Sequence, residues 1–513
     1  NNLGNALHQR GKLKEAIDAY RHAIEIKPDY TNAYSNLGNA LQAGGKIDEA
    51  IEACLRALEL DVHCVPALNN LGNCYKDRGQ LDLAIDHYRK AVLKDPSSAG
   101  RHSNLVYCIH FHSDYDARRI LAECLEWERA HALPLRKCIA PHGNERSVDR
   151  RLRIGYLSPD FCNHVVGWNL FPLLQMRDRE ALEIFAYSDT LRVDGFTEQI
   201  RAQCDHWREI VGFSDEKVAE TIRADRIDIL VDLTLHMAQN RLLVFARKPA
   251  PVQVTYLGYC GTTGLGAIDY RMSDPYLDPP ESDLTCYRET TVRLPRSYWC
   301  YRPGGATPDP GPAPASKGQP MIFGCLNNFA KVSVETLELW IEILRDVPHS
   351  RLLLNAQPGP CREAAWEKMR KAGLSTDRLE FVERGKWERY IENLQKIDLA
   401  LDPFPYGGGI STCDALWMGI PVVSLSGRTA VGRGGRSILT NVGLPELVAE
   451  TPAQYLEIAV SLARDLPRLS ELHSTLRERM ECSPLRDARG FARDFEAAFR
   501  EMWRKWCTEG SSP

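Results

Sequence analysis

The tetrapeptide Asn-Leu-Gly-Asn stands at residues 2–5, 36–39 and 70–73, each copy 34 residues after the last. Gly11, Gly45 and Gly79 keep the same period, as do Ala16, Ala50 and Ala84. Pro28 and Pro96 lie two periods apart, with Val62 in the slot between them. A fixed period of this length constrains the fold strongly, because each unit buries its apolar face only against the next unit. Small residues at fixed places in an apolar rhythm of 3.6 predict helix pairs stacked into a superhelix. The first unit begins inside its opening helix, so more of the array is expected upstream. A fourth unit starts at Asn104-Leu105 and then loses register. Stacked helix pairs of this kind present a concave surface to extended polypeptides. Asn2, Asn36 and Asn70 either offer amides to a bound peptide backbone or pack and cap their own helices.

The 34-residue unit is the tetratricopeptide pattern. Beyond a connecting helix at about 117–132 the rhythm changes. RLRIGYLSPDF, EIFAYSD, RIDILVDLT and VQVTYLGY read as apolar strands separated by helical segments. Strands alternating with helices imply a parallel sheet whose ligands bind at the strand carboxyl ends. Ten of the eighteen residues from Pro303 to Pro320 are Pro or Gly, a composition that does not sustain regular structure. A second alternating set follows (MIFGCLN, SRLLLNA, RLEFVE, DLALD, PVVSL), and ARGFARDFEAAFREMWRKW closes the chain as an amphipathic helix. The fold class expected is therefore an α-helical repeat superhelix followed by two Rossmann-like α/β domains. Its divisions are repeats (1–116), a connecting helical region (117–150), a first Rossmann-like domain (151–302), a Pro/Gly-rich linker (303–320) and a nucleotide-binding Rossmann-like domain with the terminal helix (321–513).

The stretch DLALDPFPYGGGISTCDALWMGIPVVSL runs strand, glycine turn, helix, strand. A helix start carries unpaired N–H groups and partial positive charge, which suits a pyrophosphate. Gly409, Ile410 and Ser411 supply the N–H groups, and the Ser411 and Thr412 hydroxyls are further donors. Asp414, one turn on, is placed to accept hydrogen bonds from ribose hydroxyls.

Composition excludes several classes. A net charge of −4 gives no general attraction to nucleic acid or membrane. No apolar run approaches the roughly 20 residues of a spanning helix, and NNLGNALHQRGK is not read as a signal peptide. The sixteen cysteines contain no CxxC pair, so thiols in a reducing, cytoplasmic compartment are expected.

Four motifs carry a resemblance: IGYLSPDFCNHVVGW (154–168), RKPAPVQVTYLGYCGTTG (247–264), FGCLNNFAKVS (323–333) and the glycine turn. With the repeats ahead of two α/β halves, the chain resembles the protein O-GlcNAc transferases of glycosyltransferase family 41, inverting enzymes of the GT-B fold, in a bacterial form. The resemblance implies transfer of N-acetylglucosamine from UDP to Ser or Thr hydroxyls of intracellular proteins. Related architectures move glucose from UDP to Asn or fucose from GDP to Ser or Thr, and an inactive repeat scaffold is the alternative of another class. The partners implied are a UDP-sugar and a polypeptide held in the repeat groove; no metal or other cofactor is expected.

The resemblance also assigns residues. Lys331 meets the diphosphate, where an ammonium lowers the barrier to departure of UDP. Asn328 stands where the family has a glutamine that touches phosphate or sugar. His164 faces the donor sugar, as general base or as an orienting group. His236 and Asp232, in a loop at another strand end, are placed by location alone along the cleft, whereas His206 is read as structural. Gly385 and Lys386 lie where backbone groups read the uracil edge, with Trp387 and Tyr390 replacing a family lysine and histidine just beyond. Arg433 is a second counter-charge for the phosphates, and Asp398 and Asp402 are structural.

Overall fold

The computed structural model describes residues 1–509. Eight helices form the array: α1 (Asn2–Gln9), α2 (Leu13–Ile26), α3 (Thr31–Ala43), α4 (Ile47–Leu60), α5 (Val65–Asp77), α6 (Leu81–Lys94), α7 (Ala99–Ile109) and α8 (Ala117–Trp127). Ala16, Ala50 and Ala84 are fully buried between the helices of each pair. The repeated glycine exists for close packing: a Cβ on Gly72 would lie 2.6 Å from the Tyr88 ring. Gly11, Gly45 and Gly79 take φ of +73°, +77° and +72° in the turn between the two helices of a unit, a conformation glycine adopts without strain. The fourth unit does not lose its architecture where its sequence drifts. Helix α8, expected as a separate connector, packs on α7 as the second helix of that pair and buries Ile120, Cys124 and Trp127.

The asparagines take up both packing and bridging positions within the array. Asn36 Nδ2 donates to Asn1 and Asn5, and Asn70 Nδ2 donates to the Ser35 carbonyl at 3.0 Å, each linking one unit to the one before.

Two parallel sheets follow. The first lobe comprises β1 (Leu152–Ser158), α9 (Val165–Met176), β2 (Leu182–Ser188), α10 (Gly195–Arg201), β3 (His206–Glu209), α11 (Asp215–Ala224), β4 (Ile229–Asp232), α12 (Leu242–Phe245), β5 (Val252–Thr255), β6 (Tyr270–Ser273) and β7 (Thr290–Arg293). Its strand order is β3-β2-β1-β4-β5-β6-β7. The second lobe comprises β8 (Ile322–Cys325), α13 (Val334–Asp346), β9 (Arg351–Asn355), α14 (Pro360–Lys371), β10 (Leu379–Val382), α15 (Trp387–Leu394), β11 (Leu399–Leu401), α16 (Ile410–Trp417), β12 (Val422–Leu425), α17 (Gly434–Asn441) and β13 (Val448–Ala449), in the order β10-β9-β8-β11-β12-β13. Nearly continuous apolar strands, such as Leu352-Leu353-Leu354, are buried on both faces, as parallel sheets require. In each sheet the order reverses beside the first strand, β1 next to β4 and β8 next to β11. Ligands of open α/β sheets bind in the crevice at such a switch point.

Three further helices, α18 (Pro452–Arg464), α19 (Leu466–Glu481) and α20 (Ala488–Glu509), end the described chain. The terminal helix was expected with the span 321–513, of which 510–513 lie outside the described residues. Instead α20 crosses back to the first lobe: Trp503 Nε1 donates to the Ser147 carbonyl at 3.0 Å, and Phe495 packs edge-on against Tyr256 at 4.7 Å. Its aromatic stripe is thus a clasp between lobes. Among the described residues no helix is long and apolar enough to cross a membrane, and all sixteen cysteines are unpaired thiols.

The packing argument separates two glycines of the array. Gly72→Ala drives a methyl group into the Tyr88 ring and is expected to cost about 1–3 kcal/mol. Gly100, in the first turn of α7, has nothing within 4 Å of an added Cβ. There the same change is expected to stabilise by up to about 1 kcal/mol. Urea unfolding followed by helical circular dichroism distinguishes the two signs.

Candidate functional site

The two switch points face each other across one cleft of about 1010 Å³. The first lobe contributes the loop after β1 with His164, the segment Leu257–Cys260 and Trp299. The second contributes Asn327, Asn328 and Lys331 after β8, the turn Gly407–Gly409 after β11, and Gly385, Trp387 and Tyr390 after β10. The repeats close a third side with Gln42–Gly45, Ile47 and Asp77. Gln42 Nε2 donates to Asp77 at 2.6 Å, tying the second and third units together at this wall.

Lys331 lies in a short 3₁₀ turn whose N-cap is Asn328, the Asn328 side chain accepting from the Ala330 N–H at 3.1 Å. Its Nζ donates to the Gly407 carbonyl at 2.9 Å and stands 4.0 Å above the Tyr406 ring. Tyr406 also stacks on Phe111 from the repeats, at 4.9 Å and 11°. No carboxylate forms an ion pair with this ammonium among the described residues, and desolvation lowers its pKa to about 8, against the smaller pull of the Asp402 charge. The repeat array therefore backs the ring that backs the cation.

The glycine turn leads directly into α16. Gly409 is the N-cap of α16 and no side chain caps the helix, so the N–H groups of Gly409, Ile410 and Ser411 lack partners among the described residues at the cleft wall, whereas that of Thr412 donates to the Gly409 carbonyl at 3.0 Å. A Cβ on Gly408 would collide with the Thr412 hydroxyl and the Asp402 carboxylate. Ser411 lines the cleft, its hydroxyl bonded to Asn327.

His164 is the N-cap of α9, its Nδ1 accepting from the Val166 N–H at 3.4 Å. Burial lowers its pKa, opposed by Asp160 and reinforced by Arg384. The Asp160 carboxylate lies 3.6 Å from the same Nδ1, and the ring lines the cleft.

Several candidates lie elsewhere or are occupied. His236 is fully buried outside the cleft: Nε2 meets the Thr263 carbonyl at 2.8 Å and Nδ1 the Ser103 hydroxyl at 3.0 Å, with Trp127 edge-on at 5.0 Å. It fastens α7 and α8 to the first lobe. Asp232 is likewise buried, accepting from Thr234, Leu235 and Thr255. His206 stacks on Phe185 at 4.2 Å and bonds Glu183 at the sheet edge, as a structural residue does. Arg433 turns away from the phosphate turn toward the first lobe, bonding the Leu277 carbonyl and Asp278, whose carboxylate neutralises it. The Thr412 hydroxyl points inward to Asp402 at 3.0 Å. Asp414 reaches the cleft wall, but its oxygens already accept from Tyr301 (2.8 Å) and Tyr390 (3.2 Å), and burial raises its pKa to about 7. Asp398 caps two backbone N–H groups, those of Ala315 and Ile322, in keeping with a structural role.

Not foreseen from the sequence is the segment Tyr298–Tyr301, of which Tyr298 and Trp299 line the cleft and Tyr301 reaches Asp414 of the second lobe. Three aromatics in four residues, immediately before the Pro/Gly linker, were the available signal.

The profile of glycosyl transferase family 41 matches residues 82–301 and 316–495, and tetratricopeptide profiles match 4–45 and 29–92. The chain belongs to glycosyl transferase family 41. Relatives in this family include proteins described as probable UDP-N-acetylglucosamine–peptide N-acetylglucosaminyltransferase SPINDLY. That of Hordeum vulgare is 36% identical over 82% of this chain and 45% of its own length, and that of Petunia hybrida 38% identical over 72% and 40%. The chain spans about half the length of the curated relatives it matches. A mutant of the Thermobaculum terrenum O-GlcNAc transferase has the same fold, with a TM-score of 0.94 at 35% identity, covering 99% of this chain and 97% of that one.

With its guanidinium bridging the lobes, Arg433 is expected to matter for stability and not for nucleotide affinity. Arg433→Ala leaves Asp278 with one cation fewer in a buried network, which costs about 3–5 kcal/mol when a buried pair is broken. Thermal unfolding should register that loss while the calorimetric affinity for UDP stays within about twofold.

Proposed function

We propose that this family 41 protein transfers N-acetylglucosamine from UDP-N-acetylglucosamine to Ser or Thr hydroxyls of polypeptides, with inversion. One observation carries the reading: the cleft that holds Lys331 and the open helix start is walled on its third side by the peptide-binding type of repeat. A polypeptide lying along the array reaches the anion site directly.

The reaction is a single displacement. The acceptor hydroxyl oxygen forms a bond to the anomeric carbon as the bond from that carbon to the phosphate oxygen breaks; the electron pair stays on UDP, and the hydroxyl proton is released to solvent. Negative charge thus grows on the outer phosphoryl group. Lys331 and the first N–H groups of α16 face that charge, already held in place and partly desolvated, so little reorganisation accompanies the step. His164 orients the donor sugar, and the backbone at Gly385 with Trp387 and Tyr390 receives the base. Asn328 is the side chain next to Lys331 that meets phosphate or sugar. The ribose takes the Asp414 wall, sharing its carboxylate with the two phenols. Lysine and helix start together fill the electrostatic role a divalent cation plays elsewhere, so no metal is required. The unpaired thiols fit acceptors in a reducing, intracellular compartment.

The test is incubation of the protein with radiolabelled UDP-N-acetylglucosamine, UDP-glucose and GDP-fucose and a mixed protein extract, in the presence of EDTA. Label on Ser or Thr from UDP-N-acetylglucosamine is expected; label only from another donor, or only after a metal is restored, contradicts the reading. Lys331→Ala is expected to lower turnover by about two orders of magnitude, the scale of one lost contact to a developing oxyanion; a loss below tenfold removes Lys331 from the mechanism.

The depressed pKa of Lys331 sets a pH limb. Above about 8 the free enzyme loses the ammonium charge, and kcat/KM for the donor, which reports the free enzyme, is expected to fall as pH rises through that value. A profile flat to pH 10 contradicts the assignment.

A further inference from the structure

Trp299 lies just after the last strand of the first lobe, yet its indole packs on the second. Its Cζ2 and Nε1 stand 3.7 and 3.8 Å from where a Cβ on Gly409 would sit, and Cη2 stands 3.5 Å from the corresponding point on Gly434. The side chain is 6% exposed and lines the cleft beside Gly408–Ser411. Indole nitrogen is a donor only. Among the described residues this one meets no acceptor, and it is not sealed from the cleft. A buried aromatic donor ordinarily finds a partner; here the vacant partner position is the space over the glycine turn.

The residue is also held rigidly. The Trp299 N–H donates to Ser297 Oγ at 3.1 Å, and that hydroxyl donates back to the Trp299 carbonyl at 3.1 Å. Tyr298, edge-on to the indole at 5.0 Å and 80°, is fixed by Asp274 at its N–H, by the Tyr256 hydroxyl at its carbonyl and by the Leu257 N–H at its own hydroxyl. Asp274 in turn accepts from Ser437 of the second lobe. A donor locked by neighbours in this way loses little entropy on binding and is aimed before the ligand arrives.

We propose that the indole N–H of Trp299 donates to the outer phosphoryl group of the nucleotide sugar, completing from the first lobe the anion cradle that Lys331 and the start of α16 build from the second. This rests on the donor reading given above. Lys331 reaches the same turn from its other end, bonded to Gly407, so ammonium and indole flank one phosphoryl position. Because the two donors belong to different lobes, the outer phosphate becomes a bridge whose grip depends on how the lobes sit. Trp299 is in this sense a positioning residue that couples lobe arrangement to departure of the nucleotide.

The experiment compares UDP with UMP, which lacks the outer phosphate, by calorimetry on wild type and Trp299→Phe. Phenylalanine keeps a ring against Gly409 and removes the donor. Wild type is expected to bind UDP, and the variant to bind it about tenfold more weakly, the scale of a hydrogen bond to a charged group, while UMP affinity changes by no more than about twofold. Unchanged UDP affinity, or equal loss for UDP and UMP, overturns the inference while leaving the donor reading standing. Failure of wild type to bind UDP overturns both. A measurement on the unaltered protein guards against a folding defect: of the ten tryptophan indole ¹⁵N–H resonances, the one missing from Trp299→Tyr is expected to move on addition of UDP and to stay in place with UMP. Movement with both nucleotides, or with neither, contradicts the proposal.

Discussion

An ammonium partly withdrawn from water and left without a carboxylate is the interaction on which the rest of this structure depends. Charges taken out of water are costly unless compensated, and among the described residues Lys331 is compensated by a carbonyl, the face of Tyr406 and a nearby but unbonded Asp402. That leaves an unsatisfied electrostatic demand at the mouth of an uncapped helix. An anion answers it, and one that gains charge during reaction answers it best at the transition state. Much of the surrounding architecture serves to hold this demand in place.

The support is distributed over all three bodies. The second lobe supplies the lysine and the turn, and small residues at 408 and 409 let backbone and ligand approach closely. The first lobe supplies Trp299 and His164. The repeats contribute in two ways: Phe111 backs Tyr406, and the second and third units form one wall of the cleft. Under the proposed function, a repeat array that touches both the cation's support and the cleft links acceptor holding to donor chemistry through contiguous packing. The return of α20 to the first lobe, with Trp503 fully buried, fastens the two α/β lobes around the site.

The fold was legible in the sequence wherever a period or a turn was dictated by sterics. The 34-residue spacing placed the helices of the first three units, because close contacts such as Gly72 against Tyr88 admit one residue type. The glycine turn was legible for the same reason. What misled was proximity along the chain. Arg433 follows the phosphate-side strand closely, but its guanidinium finds buried carbonyls and Asp278 on the other lobe. His236 ends a strand as His164 nearly does, yet a serine and a carbonyl enclose both its nitrogens. Thr412 sits in the first helical turn, where a rotation of 100° per residue sends its hydroxyl inward while Ser411 faces out. Side-chain direction of this kind depends on tertiary partners, 10 residues away for Thr412 and 156 for Arg433. Helix α8 was missed as a repeat element because its packing survives the loss of the consensus residues.

The most direct measurement of the central claim is a crystal structure with UDP bound. The account places the outer phosphate within hydrogen-bonding distance of Lys331 Nζ and the first N–H groups of α16, in the cleft walled by the repeats. UDP lodged elsewhere, or seated here with its phosphates turned from the lysine, contradicts it.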